Sequence, residues 1–271
     1  MNNILIIIRG GGDLATGVVV RLFRVGFSVM ILEVDHPTVI RLPISFARAV
    51  YKDKAIVEGV EAVLIPSWEK TKDTIKQGKI PVLVDPEGYC IEKFSPAVLV
   101  DAILAKRNLG TRINQAPLVI GLGPGFTASV DVDRVIETMR GHDLGRVIEK
   151  GSAQPNTGVP GNIGGHTVDR VLRAPASGVF HSERKITEKV RAGDVVCSVA
   201  GKDVVSKIDG VIRGLIREGN LVHEGLKIGD IDPRGCVEYC STVSEKSRAI
   251  GGSVLEAILG ASCFKGEKNS Q

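Results

Sequence analysis

Gly10, Gly12 and Ala15 stand in the spacing Gly-x-Gly-x-x-Ala, within the run Arg9-Gly10-Gly11-Gly12-Asp13-Leu14-Ala15-Thr16-Gly17. The chemistry this spacing allows is the holding of a pyrophosphate. A first glycine makes a tight turn, a second lets the backbone approach the phosphates, and a small third residue lets the following helix pack closely on its strand. The helix N-terminus then offers amide donors to the anion. Gly10, Gly11, Gly12, Asp13, Ala15 and Thr16 are therefore read as one cofactor-binding turn. Glu33 lies 23 residues after Gly10, where a carboxylate can accept from ribose hydroxyls. The same turn can also be a purely structural strand-to-helix connection. Asp13 fits a capping role on the exposed amides better than a catalytic one, and pointed at the phosphates it would repel them.

The elements that must position this turn are legible around it. Ile4–Ile8 is a continuous apolar run, as a parallel strand covered on both faces requires. Val18, Val19, Leu22, Phe23 and Val25 mark a helical face, and Ser28–Val34 makes a second strand. Further on, Val60–Pro66, Ile80–Asp85, Ala97–Val100 and Ala116–Leu122 read as strands. Ser67–Gly78 and Val130–Arg140 read as helices, and a helix is expected to start at Asp101. Strands alternating with helices imply a Rossmann-like, mostly parallel, doubly wound sheet. Ligands in such sheets sit beyond the strand carboxyl ends. Gly10–Gly12, Asp85, Asp101 and the second glycine-rich turn at Gly121, Gly123 and Gly125 are all expected there. For Asp85 and Asp101 a turn-capping role is favoured over ligation.

Other reactive residues give weaker patterns. His142 beside Asp143 suggests acid–base work, although adjacent residues need not face each other. Cys236 and Cys240 make a C-x3-C without the further ligands a zinc site needs. Cys240 is a thiol of either reactive or packing character. The stretch from Ser152 to His166 is rich in Gly, Pro and Asn and marks a domain boundary.

The chain has 271 residues, 35 Lys and Arg against 31 Asp and Glu, and five widely scattered cysteines. Its basic residues form no run and do not alternate with aromatics, which argues against nucleic acid as a partner. The cysteine pattern reads as reduced, intracellular thiols. No segment resembles a membrane span or a signal sequence, so a cytoplasmic protein is expected.

From Gly178 onward the sequence repeats at an offset of 32 residues. Gly178-Val179 matches Gly210-Val211, Val190 matches Val222, Gly193 matches Gly225, and Val196 and Val199 match Ile228 and Ile231. The phrases Ala174–Val179, Val190–Val196 and Ile208–Val211 resemble the biotinyl/lipoyl barrel. The carrier forms of that family present a modified lysine in the hairpin between the halves. Here Lys202 has no neighbouring methionine and the hairpin is short, so neither biotin nor lipoate is expected. The expected architecture is thus an α/β domain over 1–166, a small duplicated barrel over 167–235, and a C-terminal helical segment over 236–271 packing back on the first domain. That helix is expected to be interrupted near Gly251-Gly252.

With these motifs assembled, the chain resembles the YqeB family of accessory proteins in selenium-dependent molybdenum hydroxylase systems. The resemblance rests on the first glycine-rich turn and on Val119–Phe126, Arg140–Val147, Pro160–Gly165 and Arg248–Gly252. It implies a molybdenum hydroxylase or its maturation factors as partners. It also implies a phosphate-bearing or nucleotide-tailed molybdenum cofactor, which the glycine-rich turn is suited to hold; the same turn is compatible with NAD(P). The functional expectations are a maturation factor, an NAD(P)-dependent oxidoreductase, or a non-catalytic scaffold.

Overall fold

The computed structural model describes residues 4–261. They divide into two units. One comprises the chain up to Asp35, Phe46–Asn156 and the chain from Val243; the other comprises His36–Ser45 and Thr157–Thr242. The division differs from the expected one at 36–45, which joins the second unit, and at the later boundaries, which fall after Asn156 and Thr242 instead of after 166 and 235.

The first unit is built on a sheet of nine strands. These are β1 (Leu5–Arg9), β2 (Ser28–Glu33), β3 (Lys54–Val57), β4 (Val60–Leu64), β5 (Ile80–Val84), β6 (Val98–Asp101), β7 (Leu118–Leu122), β9 (Arg134–Ile136) and β10 (Val147–Ile148). Their order is β10-β9-β7-β6-β1-β2-β5-β4-β3. A separate pair, β8 (Thr127–Ala128) and β11 (Gly151–Ser152), lies outside this sheet. The helices are α1 (Asp13–Arg24), α2 (Ala49–Lys52), α3 (Thr71–Lys76), α4 (Cys90–Phe94) and α5 (Glu245–Gly260). The central strands are buried on both faces, with Ile6, Ile7, Ile8, Met30, Ile31 and Leu99 fully enclosed. That is why they read as unbroken apolar runs.

The expectation of a Rossmann-like, doubly wound sheet is corrected here. The sheet is mixed, with β3 and β10 antiparallel at its two edges. The crossovers from β6 to β7 and from β7 to β9 contain no α-helix. After Asp101 the chain cannot coil, because Leu104 and Lys106 take left-handed backbone angles, with φ of 60° and 63°. The expected helix over Val130–Arg140 is instead the strand β9. Asp133 accepts a hydrogen bond from the Val119 amide at 2.7 Å and docks the segment in parallel beside β7.

α5 is a continuous helix and is not interrupted at its glycines. Its Ser244 cap accepts from the Ser247 amide, and Ser247 donates its hydroxyl to Asp13 at 2.9 Å. Gly251 is needed for packing: a β-carbon there would lie 2.7 Å from the Gly17 carbonyl oxygen of α1.

The second unit contains β12 (Val171–Arg173), β13 (Gly178–His181), β14 (Lys189–Val190), β15 (Val195–Val199), β16 (Lys202–Val205), β17 (Gly210–Leu215), β18 (Leu221–Val222) and β19 (Lys227–Asp232). They do not close into one barrel. They form two four-stranded antiparallel sheets, ordered β12-β19-β17-β14 and β16-β15-β13-β18, and the expectation of a biotinyl/lipoyl-like barrel is corrected accordingly. The 32-residue offset carries each strand of one sheet onto the matching strand of the other. A shared core includes Phe180, Val196, Val199, Ile212, Ile228 and Ile231.

Candidate functional site

The carboxyl ends of β1, β2, β5 and β6 in the first unit present Arg9, Glu33, Asp85 and Asp101. The order of these strands in the sheet makes this edge the place where the expected residues can meet. Each charged group can be followed to its partners.

Gly10 turns the chain out of β1 with φ 93°, and a β-carbon there would meet the Ala102 carbonyl oxygen at 3.0 Å. Gly11 donates its amide to the Glu33 carboxylate at 2.8 Å, and its carbonyl accepts from the Ala47 amide at 2.9 Å. The second Glu33 oxygen accepts from the Val34 amide, also at 2.8 Å. Burial pushes the Glu33 carboxyl above its ordinary 4.5, opposed by these two bonds. Glu33 therefore braces the turn instead of standing free for a ribose. Thr16 is fully buried; its hydroxyl donates to the Gly11 carbonyl and accepts from the Phe46 amide. Ala15 is buried as the close-packing residue. These residues build the turn from within.

What faces outward is the start of α1. Gly12 is its N-cap, with no side-chain capping bond, and Gly12, Asp13 and Leu14 are only partly buried. Asp13 accepts from Ser247, which turns its carboxylate toward α5. A 12-residue helix thus begins without a side-chain cap at the end of β1. Its first amides carry the positive end of the helix dipole.

Arg9 carries no expectation from the sequence, yet it organises this edge. It is 4% exposed, and its guanidinium donates to Thr111 at 2.7 Å, to the Pro86 carbonyl at 3.0 Å and to the Leu109 carbonyl. Asp101 lies 3.7 Å away and accepts from Thr111 and from the Ile103 amide. Burial raises the Asp101 carboxyl above its usual 3.8, against the pull of Thr111, the Ile103 amide and Arg9. Asp85 caps its turn: it accepts the amides of Gly88, Tyr89 and Cys90 at 2.9–3.0 Å. The signal for Arg9 was present in the sequence. A charged residue closing an apolar strand is carried inside by the ladder and must find partners there.

Between the two glycine-rich turns runs the loop 102–112. Its start lies against Gly10, while a β-carbon at Gly125 would meet the Arg107 amide at 2.6 Å. Lys106 and Arg107 are exposed on it. Gly121 and Gly123 serve packing. Their β-carbon positions are occupied at 2.5 Å by the Phe126 ring and the Thr138 hydroxyl.

The remaining expected residues are not gathered here. Asp143 pairs with Arg146 at 3.2 Å and not with His142, which is exposed. Cys240 is fully buried, and burial raises its thiol above the usual 9.0. Cys90 and Cys197 are pushed up to about 12 by burial, Asp85 adding to it at Cys90. Cys236 is less buried, and its hydrogen bond to Glu238 raises it. In the folded protein at pH 8, iodoacetamide is expected to alkylate Cys236 first among these four. Peptide mapping that finds Cys240 labelled first would contradict the placement. Among the described residues no group of three His, Cys, Asp or Glu is gathered as a metal would need, and no helix is long and apolar enough to cross a membrane.

Fold and site together define a two-unit α/β chain with a glycine-rich, strand-end site. No family model matches the chain. The uncharacterized protein YqeB of Escherichia coli (strain K12) is 51% identical to it over 255 residues, and this identity supports the YqeB family. The match covers 94% of this chain and 47% of the relative, so the chain spans about half the length of the curated relative it matches. Solved structures give fainter likenesses. An aspartoacylase family protein from Mesorhizobium loti is 10% identical over 84% of each chain, with a TM-score of 0.25. A succinylglutamate desuccinylase from Silicibacter sp. TM1040 is 13% identical over 84% of each chain, with a TM-score of 0.24. At these scores the likeness carries no argument.

Proposed function

We propose that the chain is an accessory protein in the maturation of a selenium-dependent molybdenum hydroxylase, and that it holds a phosphate-bearing or nucleotide-tailed cofactor at the start of α1. The observation that carries this reading is the uncapped N-terminus of α1, set at the carboxyl end of β1; the loop 102–112, whose start lies against Gly10, carries the exposed Lys106 and Arg107 further along. Helix-start amides and exposed cations are what a phosphate tail requires. The molybdenum system is what the family resemblance implies.

The test turns on Gly12. Its φ of −69° lies in the ordinary extended region, so a side chain there meets no left-handed backbone strain. Gly12→Leu is expected to fold and to weaken binding of the phosphate form of molybdopterin at least tenfold. Equilibrium titration of molybdopterin, NAD+ and NADP+ against wild type and variant reads the result. Preference for NAD(P) would move the reading to an oxidoreductase. Unchanged affinities, or no binding to wild type, would favour a scaffold, in keeping with the bracing of Gly11 by Glu33 and Ala47.

A further inference from the structure

The internal repeat of the second unit is its own control. Features present in both halves hold the fold, and a charged set confined to one half and lining a cavity marks where the halves diverge. The Asp209 carboxylate accepts the Ala192 amide at 2.8 Å, and 32 residues away the Ser177 hydroxyl accepts the Glu224 amide at 3.1 Å. That bond is shared, and it is architectural.

The charges beside it are not shared. Lys189, Arg191 and Asp194 correspond to Leu221, His223 and Leu226. Lys189, Arg191, Asp194 and Asp209 line a cavity of about 510 Å³, with Gly210 and Gly235 among its walls. That volume lies in the range of small-molecule sites, roughly 300–1,000 Å³. Val190 is buried between exposed Lys189 at the start of β14 and exposed Arg191 just beyond its end.

The acids in the cavity are already engaged. Asp194 accepts the Arg191 amide at 3.0 Å and lies 3.9 Å from Arg184; Asp209 holds Ala192. No hydrogen bond or ion pair engages the side chains of Lys189 and Arg191 among the described residues.

We infer that this cavity binds a small polyanion of the phosphate or pyrophosphate class, with Lys189 and Arg191 as its two charged contacts. The site belongs to the second unit and does not depend on the reading of α1. A guanidinium fork and an ammonium lining one cavity suit two linked oxyanion groups.

The repeat also supplies the variant for the test. Lys189→Leu with Arg191→His installs what the other half carries, where Leu221 is tolerated at 78% exposure. The probe is inorganic pyrophosphate at 0.15 M KCl, followed by the backbone amide shifts of Val190, Gly210 and Gly235. These nuclei report this cavity and not the start of α1. The wild-type shifts are expected to saturate, and the double variant should need at least tenfold more pyrophosphate. Should the double variant fail to fold, Arg191→His alone carries the same test. Wild-type shifts that do not saturate, or a loss smaller than tenfold, would overturn the assignment.

Discussion

Asp230→Ala is expected to destabilise the second unit by about 3–5 kcal/mol, the cost of stranding buried charge by removing its partner. Asp230 is fully enclosed. Its carboxylate takes the Arg213 Nε at 2.8 Å, pairs also with Arg170, and lies 3.4 Å from the Lys227 ammonium. Arg213 bridges on to Asp232 at 3.3 Å, and Arg234 joins Asp232 at 2.7 Å. Alanine removes the shared anion and leaves the buried guanidiniums of Arg170 and Arg213 without it. Burial pushes the Asp230 carboxyl up, but Lys227, Arg213 and Arg170 outweigh it and hold the group below its ordinary 3.8. A depressed carboxylate contributes stability that is fully present above 3.8 and is lost as pH falls through the folded-state value. The wild-type advantage over the variant should therefore hold from pH 7 to about 4 and shrink below that. Hydrogen exchange at β17 and β19 amides reads the unit directly, without assuming that both units unfold together. A loss under 1 kcal/mol at pH 7 would show that the network carries little.

Gly17→Val is expected to cost about 3 kcal/mol, the upper part of the range for overpacking. A β-carbon at Gly17 would lie 2.6 Å from both the Ser247 carbonyl oxygen and its β-carbon, so α1 and α5 meet with backbone as one of the touching surfaces. Backbone of a packed helix cannot step aside as a side chain can. The valine must push α5 away, weakening the Ser247–Asp13 bond and the contact at Gly251. Gly252 is the internal comparison: nothing lies within 4 Å of its β-carbon position. Gly252→Ala should instead stabilise the helix by about 0.5–1 kcal/mol. Chemical denaturation of the two variants is expected to move the first-unit transition in opposite directions. Equal shifts would mean that the helix contact is looser than its geometry indicates.

The two glycines also show what the sequence can and cannot reveal. Gly251 and Gly252 look alike in the chain and suggest a break, but one is a helix contact and the other is idle. Only the position of α1 distinguishes them. The strands from β1 to β7 were mostly legible, because burial on both faces leaves long aliphatic runs. The 32-residue repeat was legible because turn glycines and core aliphatics recur together. β9 was misread as helix, since Val132, Val135 and Ile136 suit either period in so short a stretch. The crossover after Asp101 was misread because nothing local announces left-handed angles at Leu104 and Lys106. At the site, the spacing of Gly10, Gly12 and Ala15 was plain. The bracing role of Glu33 was not, since a carboxylate beyond β2 can serve a ribose or the turn itself. Arg9 was missed because its partners lie about 100 residues away, at Leu109 and Thr111.

The most direct test of the proposed function is the identity of the small molecule that leaves the freshly isolated protein on denaturation. Mass spectrometry of the released fraction should find a phosphate-bearing pterin or its nucleotide form, near one per chain, from wild type, and little or none from Gly12→Leu. A fraction without phosphate-bearing species, or the same yield from both proteins, would contradict a ligand held at the start of α1.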